Sequence, residues 1–207
     1  MTNILYVTSS PRGKASHSTE VAAHVLEELK QAHPGAKVTV RDLARDPLPH
    51  IDENFVVATR DPKGPQTEAQ KKILSRSNAL VDELLAADIV VIGVAMINFT
   101  IPSTLKSWLD YVARAGRTFS YSEKGPEGLV KGKQVIIVQA KGGIYSGDGR
   151  GADFLDPYLR HMLAFLGMTE VQAIPVEGTG LGEASANKAL VRGHECARAV
   201  VGELARA

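Results

Sequence analysis

The chain has one cysteine, Cys196, in 207 residues, which excludes an internal disulfide and fits a reducing compartment. Its six histidines (17, 24, 33, 50, 161 and 194) are scattered and never stand at zinc-ligand spacing, so no metal centre is expected. Charge of one sign is missing too. The 24 Lys and Arg against 23 Asp and Glu leave a formal +1, too weak a field to gather nucleic acid or an anionic membrane. An anionic ligand must therefore be held locally. No stretch approaches 18 apolar residues, and the opening run NILYVT is too short for a signal sequence and lacks a positive segment before it. The expectation is a cytoplasmic protein with no membrane or nucleic-acid partner.

What is present is 44% hydrophobic and 23% charged, the range of soluble globular proteins, which excludes disorder and fibrous repeats. At roughly 100–200 residues per domain, one domain over residues 1–207 is expected, large enough to bury a core without a disulfide or metal staple.

Strands and helices alternate along it. Residues 3–8 (NILYVT) are nearly all apolar and lead into 18–31, where Val21, Ala22, Val25, Leu26 and Leu29 recur at helical spacing. Residues 37–42 (KVTVRD) alternate like a shorter, exposed edge strand, closed by the Pro-containing stretch 46–49. The polar segment 55–65, with Pro62, Gly64 and Pro65, reads as a loop before a helix carrying Ile73, Leu80, Val81, Leu84 and Leu85. Residues 89–95 (IVVIGVA) hold no charge, the pattern of a parallel strand buried on both faces. Pro102 suits the first turn of a helix with Leu105, Trp108, Leu109 and Val112, followed by a loop spanning 119–126. Residues 134–138 (QVIIV) repeat the buried-strand signal. Asp156-Pro157 opens a helix with Leu159, Met162, Leu163 and Leu166, ended by Gly167; 170–176 is a fifth strand and 184–204 a closing helix. This alternation predicts an α/β fold, a doubly wound parallel sheet with right-handed crossovers. In such sheets the ligand sits beyond the carboxyl ends of the strands, at the switch point.

The loop after the first strand, residues 9–18 (SSPRGKASHS), brings four hydroxyls, two cations and a glycine to the mouth of a helix. Orphan N–H groups and the helix dipole suit a phosphate dianion there. The patterns GxGxxG and GxxxxGK[ST] are absent, which points to a terminal monophosphate; the alternative is that Ser16 or Ser18 only caps the helix. The loop after the third strand contains Met96, Ile97, Asn98 and Phe99, an apolar segment with one amide. It reads as a shelf for a flat ring, or Met96 and Phe99 are simply core. The loop after the fourth strand contains Ala140, Lys141, Gly142 and Gly143, whose paired glycines let backbone amides approach a ligand, as they also would in a plain turn. Together on one flavodoxin-like sheet, these loops describe an FMN site.

Segments 96–99 (MINF), 111–116 (YVARAG), 125–129 (GPEGL) and Gly142-Gly143 follow in order, with Ser9-Ser10 and Ser16-His17-Ser18 ahead of them. From about residue 3 to the C-terminus the chain closely resembles the bacterial FMN-dependent NADH:quinone oxidoreductases known as azoreductases. The resemblance implies a flavodoxin-like, five-stranded parallel sheet in the order 2-1-3-4-5 with helices on both faces. It also implies a homodimer with one FMN per active site near the subunit interface, reducing quinones by two electrons and cleaving aromatic azo bonds. Ser10, Ser16, His17 and Ser18 would hold the phosphate and ribityl end. Met96, Ile97, Asn98 and Phe99, with Ala140, Lys141, Gly142 and Gly143, would bracket the isoalloxazine. Tyr121 resembles the family's substrate-stacking aromatic, or is a structural loop residue. Ile97 stands where relatives often have an aromatic, and Met162 where some carry a phenylalanine over the substrate pocket, which leaves substrate preference open.

The expected cycle is ping-pong: NADH or NADPH passes hydride to the flavin and leaves, and a quinone or azo compound then takes two electrons in the same space. No side chain need act as nucleophile, acid or metal ligand. His17 either meets the phosphate or caps the helix, or it shuttles protons. Lys141 either sets positive charge near the reduced flavin or is solvated. Arg12 and Lys14 would steer the FMN phosphate or an NADPH 2′-phosphate, and Cys196 reads as an inert, partly packed thiol. Competing readings are a flavodoxin-like electron carrier without a substrate of its own and a flavin-free partner-binding module. A nucleotide site at 178–182 (GTGLG) is disfavoured, because Glu183 stands at the last glycine of GxGxxG and the segment follows the last strand.

Overall fold

A computed structural model gives the protein's structure over residues 1–123 and 125–206. In chain order the elements are β1 (Asn3–Thr8), α1 (His17–Ala32), β2 (Lys37–Asp42), α2 (Glu53–Arg60), α3 (Glu68–Ala86), β3 (Ile89–Ala95) and α4 (Ser103–Val112). They continue with β4 (Phe119–Ser122), β5 (Gly125–Gly128), β6 (Gln134–Lys141), α5 (Leu155–Leu166), β7 (Glu170–Glu177) and α6 (Glu183–Leu204). The sheet order is β2-β1-β3-β6-β7, every neighbouring pair parallel. Counting sheet strands alone, that is the expected 2-1-3-4-5, because β4 and β5 form a separate antiparallel hairpin.

Successive side chains of a strand point to opposite faces, and the core divides accordingly. Leu5, Val7, Val90, Ile92, Val135 and Ile137 join Leu84, Leu105, Trp108, Leu109, Leu159 and Leu163 in one apolar cluster. Ile4, Tyr6, Ile89, Val91, Ile136 and Val138 join Val21, Val25, Leu29, Ala197 and Val201 in the other. This is why β1, β3 and β6 read as unbroken apolar runs, whereas β2, at the edge, alternates.

Gly93 breaks such a run for a steric reason: a Cβ there would lie 3.1 Å from the Ala22 Cβ and 3.3 Å from the Ser18 carbonyl oxygen. Its absence lets the first turn of α1 rest on the end of β3. Helix ends follow local chemistry elsewhere too. Thr67 and Gln70 form a reciprocal capping box on α3, and Gly167 ends α5 with φ at +105°.

Two expectations need correction. Part of the presumed loop 55–65 is the helix α2, whose cap is Asp52, with its carboxylate accepting from the Phe55 N–H at 2.9 Å. Only Phe55 and Ala58 of its eight residues are buried, too few to show as periodicity. The presumed loop 119–126 is mostly the β4–β5 hairpin. It is anchored where Gly128 meets Gly167 backbone to backbone: a Cβ on Gly128 would lie 2.2 Å from the Gly167 nitrogen. The Val130 N–H donates to the Leu166 carbonyl beside this contact, at 2.8 Å. Among the described residues, no helix is long and apolar enough to cross a membrane.

Candidate functional site

The loops after β1, β3 and β6 leave the carboxyl ends of three adjacent strands, where the alternation placed the chemistry. In the first, Ser9, Ser10, Ser16 and Ser18 are all buried. Ser9 is tied to β3, its N–H donating to the Gly93 carbonyl at 3.2 Å. Ser16 is the N-cap of α1: its Oγ accepts from the Thr19 N–H and its carbonyl from the Glu20 N–H. His17, half-buried at the first helical position, is therefore not the cap. The Ser16 and Ser18 hydroxyls lie 3.0 Å apart. One proton serves that contact, so the other hydroxyl hydrogen is left to donate elsewhere. The Ser10 Oγ accepts from the Arg12 N–H, and Arg12 itself is exposed. The Lys14 side chain lies outside what the structure describes. A cleft of about 360 Å³ opens on the β2 side of this loop, lined by Thr8, Ser10, Thr19, Asp42 and Arg45 among others.

The loop after β3 is built differently. Ile97 and Thr100 exchange two backbone hydrogen bonds, at 2.9 and 3.1 Å, which closes a two-residue turn on Asn98 and Phe99. Both carry positive φ, +46° and +71°, and no other described residue except glycine does. A left-handed conformation costs an L-residue with a bulky side chain roughly 1–2 kcal/mol, and such strain persists only where surrounding structure imposes it. The closed two-residue turn itself requires it at both central positions, and two outside contacts hold the turn in place. The Met96 N–H donates to the Ala140 carbonyl at 2.8 Å, and the Phe154 N–H donates to the Phe99 carbonyl at 3.0 Å. Met96 packs half-buried against the core; Ile97 and Phe99 are exposed, at 40% and 54%.

Ala140 and Lys141, expected in the loop, are instead the last residues of β6, paired with Val176 and Glu177 of β7, and are buried; the loop begins at the exposed Gly142. Lys141 is not solvated. Its side chain is 5% exposed, and its Nζ lies 2.5 Å from Asp153 Oδ2 and 3.4 Å from Glu177 Oε1. Burial alone would raise the Asp153 pKa, but the Lys141 ammonium and the Leu155 and Asp156 N–H groups outweigh it and hold the carboxyl below its ordinary value. The segment 178–182 serves the same loop. Gly178, Thr179 and Gly180 N–H groups donate to the carbonyls of Gly143, Lys141 and Gly142, so GTGLG braces the Gly-Gly backbone. Asp153, Phe154 and Glu177 carry no mark in the sequence, and Thr179 stands in the segment weighed there only as a disfavoured nucleotide site. Their partners in the β3 and β6 loops and strands are 12 or more residues away, and no local pattern marks such pairs.

Tyr121 lies on β4, 71% exposed, edge-on to Phe119 at 5.5 Å between ring centroids. It lines an apolar cavity of about 420 Å³ with Ile51, Phe55, Phe119 and Phe165, and with Arg60 and Arg114 at its polar part. Met162 is half-buried on α5 and does not line this cavity; Phe165, one turn further, does. None of the candidate residues of the three loops lines it either. Cys196 is half-buried against the second core cluster, and burial pushes its thiol pKa up, consistent with an inert group.

Known proteins are similar to this chain over nearly its whole length. A family described as having the flavodoxin-like fold matches residues 2–200. The FMN-dependent NADH:quinone oxidoreductase of Mesorhizobium japonicum is 48% identical over 200 residues, covering 96% of this chain and 95% of that one. FMN-dependent NADH:quinone oxidoreductase 3 of Pseudomonas aeruginosa is 45% identical over 195 residues, covering 94% and 91%. Among solved structures, an FMN-dependent NADH-azoreductase from Bacillus anthracis in complex with FMN has a TM-score of 0.91 at 28% identity, covering 99% of this chain and 100% of that one. With matches of this length and identity, the chain belongs to the flavodoxin-like family that includes the FMN-dependent NADH:quinone oxidoreductases.

Proposed function

We propose that the protein is an FMN-dependent NAD(P)H oxidoreductase that reduces quinones and reductively cleaves aromatic azo compounds to amines. One observation carries this reading. Buried hydroxyls at a helix mouth, a left-handed turn and a Gly-Gly backbone stand at the ends of three neighbouring strands. The donor set fits a monophosphate: Ser10, Ser16 and Ser18 supply hydroxyls and the first turn of α1 supplies N–H groups, while His17 stands beside them. Met96, Ile97, Asn98 and Phe99 would then flank one side of the isoalloxazine, and Ala140, Lys141, Gly142 and Gly143 would line its edge with backbone donors and acceptors. When bound, FMN supplies the two-electron hydride chemistry.

The chain's own residues orient and exclude water. The turn exposes Ile97 and Phe99 as an apolar shelf for a flat substrate, and its strained backbone fixes the shelf before anything binds. Donor and acceptor use this shelf in turn, which predicts parallel lines in double-reciprocal plots. No side chain is assigned as nucleophile or metal ligand.

The active form is a homodimer. Tyr121 and its cavity lie toward the C-terminal end of α4, and the Asn98–Phe99 turn lies just before the N-terminal end. Ten helical residues at 1.5 Å each separate them by about 15 Å. A two-fold axis that sets the α4 helices of two copies antiparallel brings the Tyr121 end of one protomer to the turn of the other. Tyr121, and Met162 beyond it, would then serve the substrate side of a composite site. The chain acts in the cytoplasm as one doubly wound domain over residues 1–207.

The decisive experiment is the visible spectrum of FMN-incubated, desalted protein, followed anaerobically on adding NADH and then a quinone. Retained flavin that bleaches and recolours is the expected result. Retained flavin that NADH does not bleach would favour an electron carrier, and protein without flavin would remove the reading altogether.

A further inference from the structure

The two loops proposed to bracket the isoalloxazine are linked by more than their shared sheet. Lys141 at the end of β6 is buried against Asp153, and the other oxygen of Asp153 accepts from the Leu155 and Asp156 N–H groups at 3.0 and 3.3 Å. Asp153 thus fixes both the ammonium and the start of α5. The next residue, Phe154, has its own N–H aimed at the Phe99 carbonyl, 3.0 Å away, in the left-handed turn. Glu177 closes the network from β7, one oxygen toward Lys141 and the other accepting from the Ser146 N–H at 3.2 Å. The members come from separate parts of the chain except Asp153, Phe154, Leu155 and Asp156, which are consecutive.

We propose that Lys141, Asp153 and the Phe154 N–H form a positioning relay that sets the Asn98–Phe99 turn at a fixed distance from the Gly142–Gly143 backbone. The proposal rests on the reading above for what the loops hold, but the relay itself is a property of the protein without flavin. Two facts make the relay selective. Phe99 sits in a conformation that its own side chain disfavours, so its carbonyl needs an outside partner to stay where it is. A buried ammonium between two carboxylates has little freedom to relax, because any displacement strips a buried charge of its partner. Lys141 therefore acts through the turn, as a positioning residue, its charge taken up by Asp153 and Glu177 rather than offered to a ligand.

The test separates the hydrogen bond from the side chain that happens to carry it. Phe154 is 59% exposed at the start of α5, and Asp153 before it is extended (φ −88°, ψ 98°), so Phe154→Pro deletes the N–H at the cost of moving φ by about 30° from −97° toward the proline value. Phe154→Ala keeps that N–H. Amide hydrogen exchange at Ile97 and Thr100 is measured on flavin-free protein, and FMN affinity by fluorescence quenching. Phe154→Pro and Asp153→Asn are expected to speed exchange at both amides about tenfold and to weaken FMN about three- to tenfold, the size of one lost hydrogen bond. Phe154→Ala should stay within about twofold on both. Lys141→Met should behave like Asp153→Asn, and Lys141→Arg, which keeps the charge, should restore most of the protection. Equal protection of Ile97 and Thr100 in Phe154→Pro and Phe154→Ala overturns the relay, even if Lys141→Met fails to fold. Faster exchange with unchanged FMN affinity would uphold the relay and instead remove the ring from the turn.

Discussion

The loops after β1 and β3 leave neighbouring strands at the same end of the sheet, and they are kept in shape by opposite means. The first is relaxed: Ser16 caps α1, hydroxyls bond to one another, and only Gly13 takes a positive φ. The second is strained at two residues that are not glycine and is held from outside by Ala140 and Phe154. The difference teaches that one site can combine a part whose ligand donors also stabilise the fold with a part whose shape the fold must enforce. Changes at the first should cost stability and binding together. At the second the two should move in opposite directions.

The largest effect is expected inside the relaxed loop. Ser18 is fully buried beside Ser16, so Ser18→Asp sets a carboxylate where the phosphate is placed, and FMN affinity should fall about a hundredfold or more. Unchanged affinity in a flavin titration would break the assignment of this loop. Next, Ser16→Ala removes the α1 cap and should lower unfolding free energy by about 1 kcal/mol in urea titration. Phe99→Gly should do the reverse. It relieves the left-handed backbone and removes a side chain that is already exposed, so stability should rise by about 1 kcal/mol and Tm by about 2–4 °C. FMN affinity should drop in the same variant, because the turn is no longer preset. A loss of stability would mean the turn stores no strain and the contrast between the loops collapses.

The smallest effect lies away from both loops, on the α1–α6 seam. Burial, then the neighbouring His24, hold the His194 pKa below its ordinary value, against an opposing pull from Glu20. The unfolded chain therefore takes up that proton first as the pH falls. Stability should decline below about pH 6.5 and level off under the folded value, and His194→Gln should flatten the profile seen by urea titration from pH 5 to 8.

The sheet was legible because β1, β3 and β6 are buried on both faces and written in unbroken apolar residues. The hydroxyl loop was legible because a helix mouth with serines is a local pattern. The rest depends on distant partners. Asn98 hints at a turn, but Phe99 is a residue that sequence would not place at positive φ, and the Phe154 N–H that holds its carbonyl lies 55 positions away. Lys141 reads as a surface lysine until Asp153 and Glu177 are folded around it. Helix α2 offers one cap and two buried residues, and β5 is spelled GPEG, so neither carries a periodic signal.

The contact between Gly128 and Gly167 also bears on how the chain is made. During synthesis the hairpin leaves the ribosome before its seat, which lies roughly forty residues later at the end of α5. Until that helix arrives, Phe119 lacks the Phe165 ring that packs on it, 4.7 Å away between centroids, and Gly128 lacks its backbone seat. The nascent protein then shows a short two-stranded ribbon with free edges and an uncovered Phe119, a brief hazard of pairing with another unfinished copy.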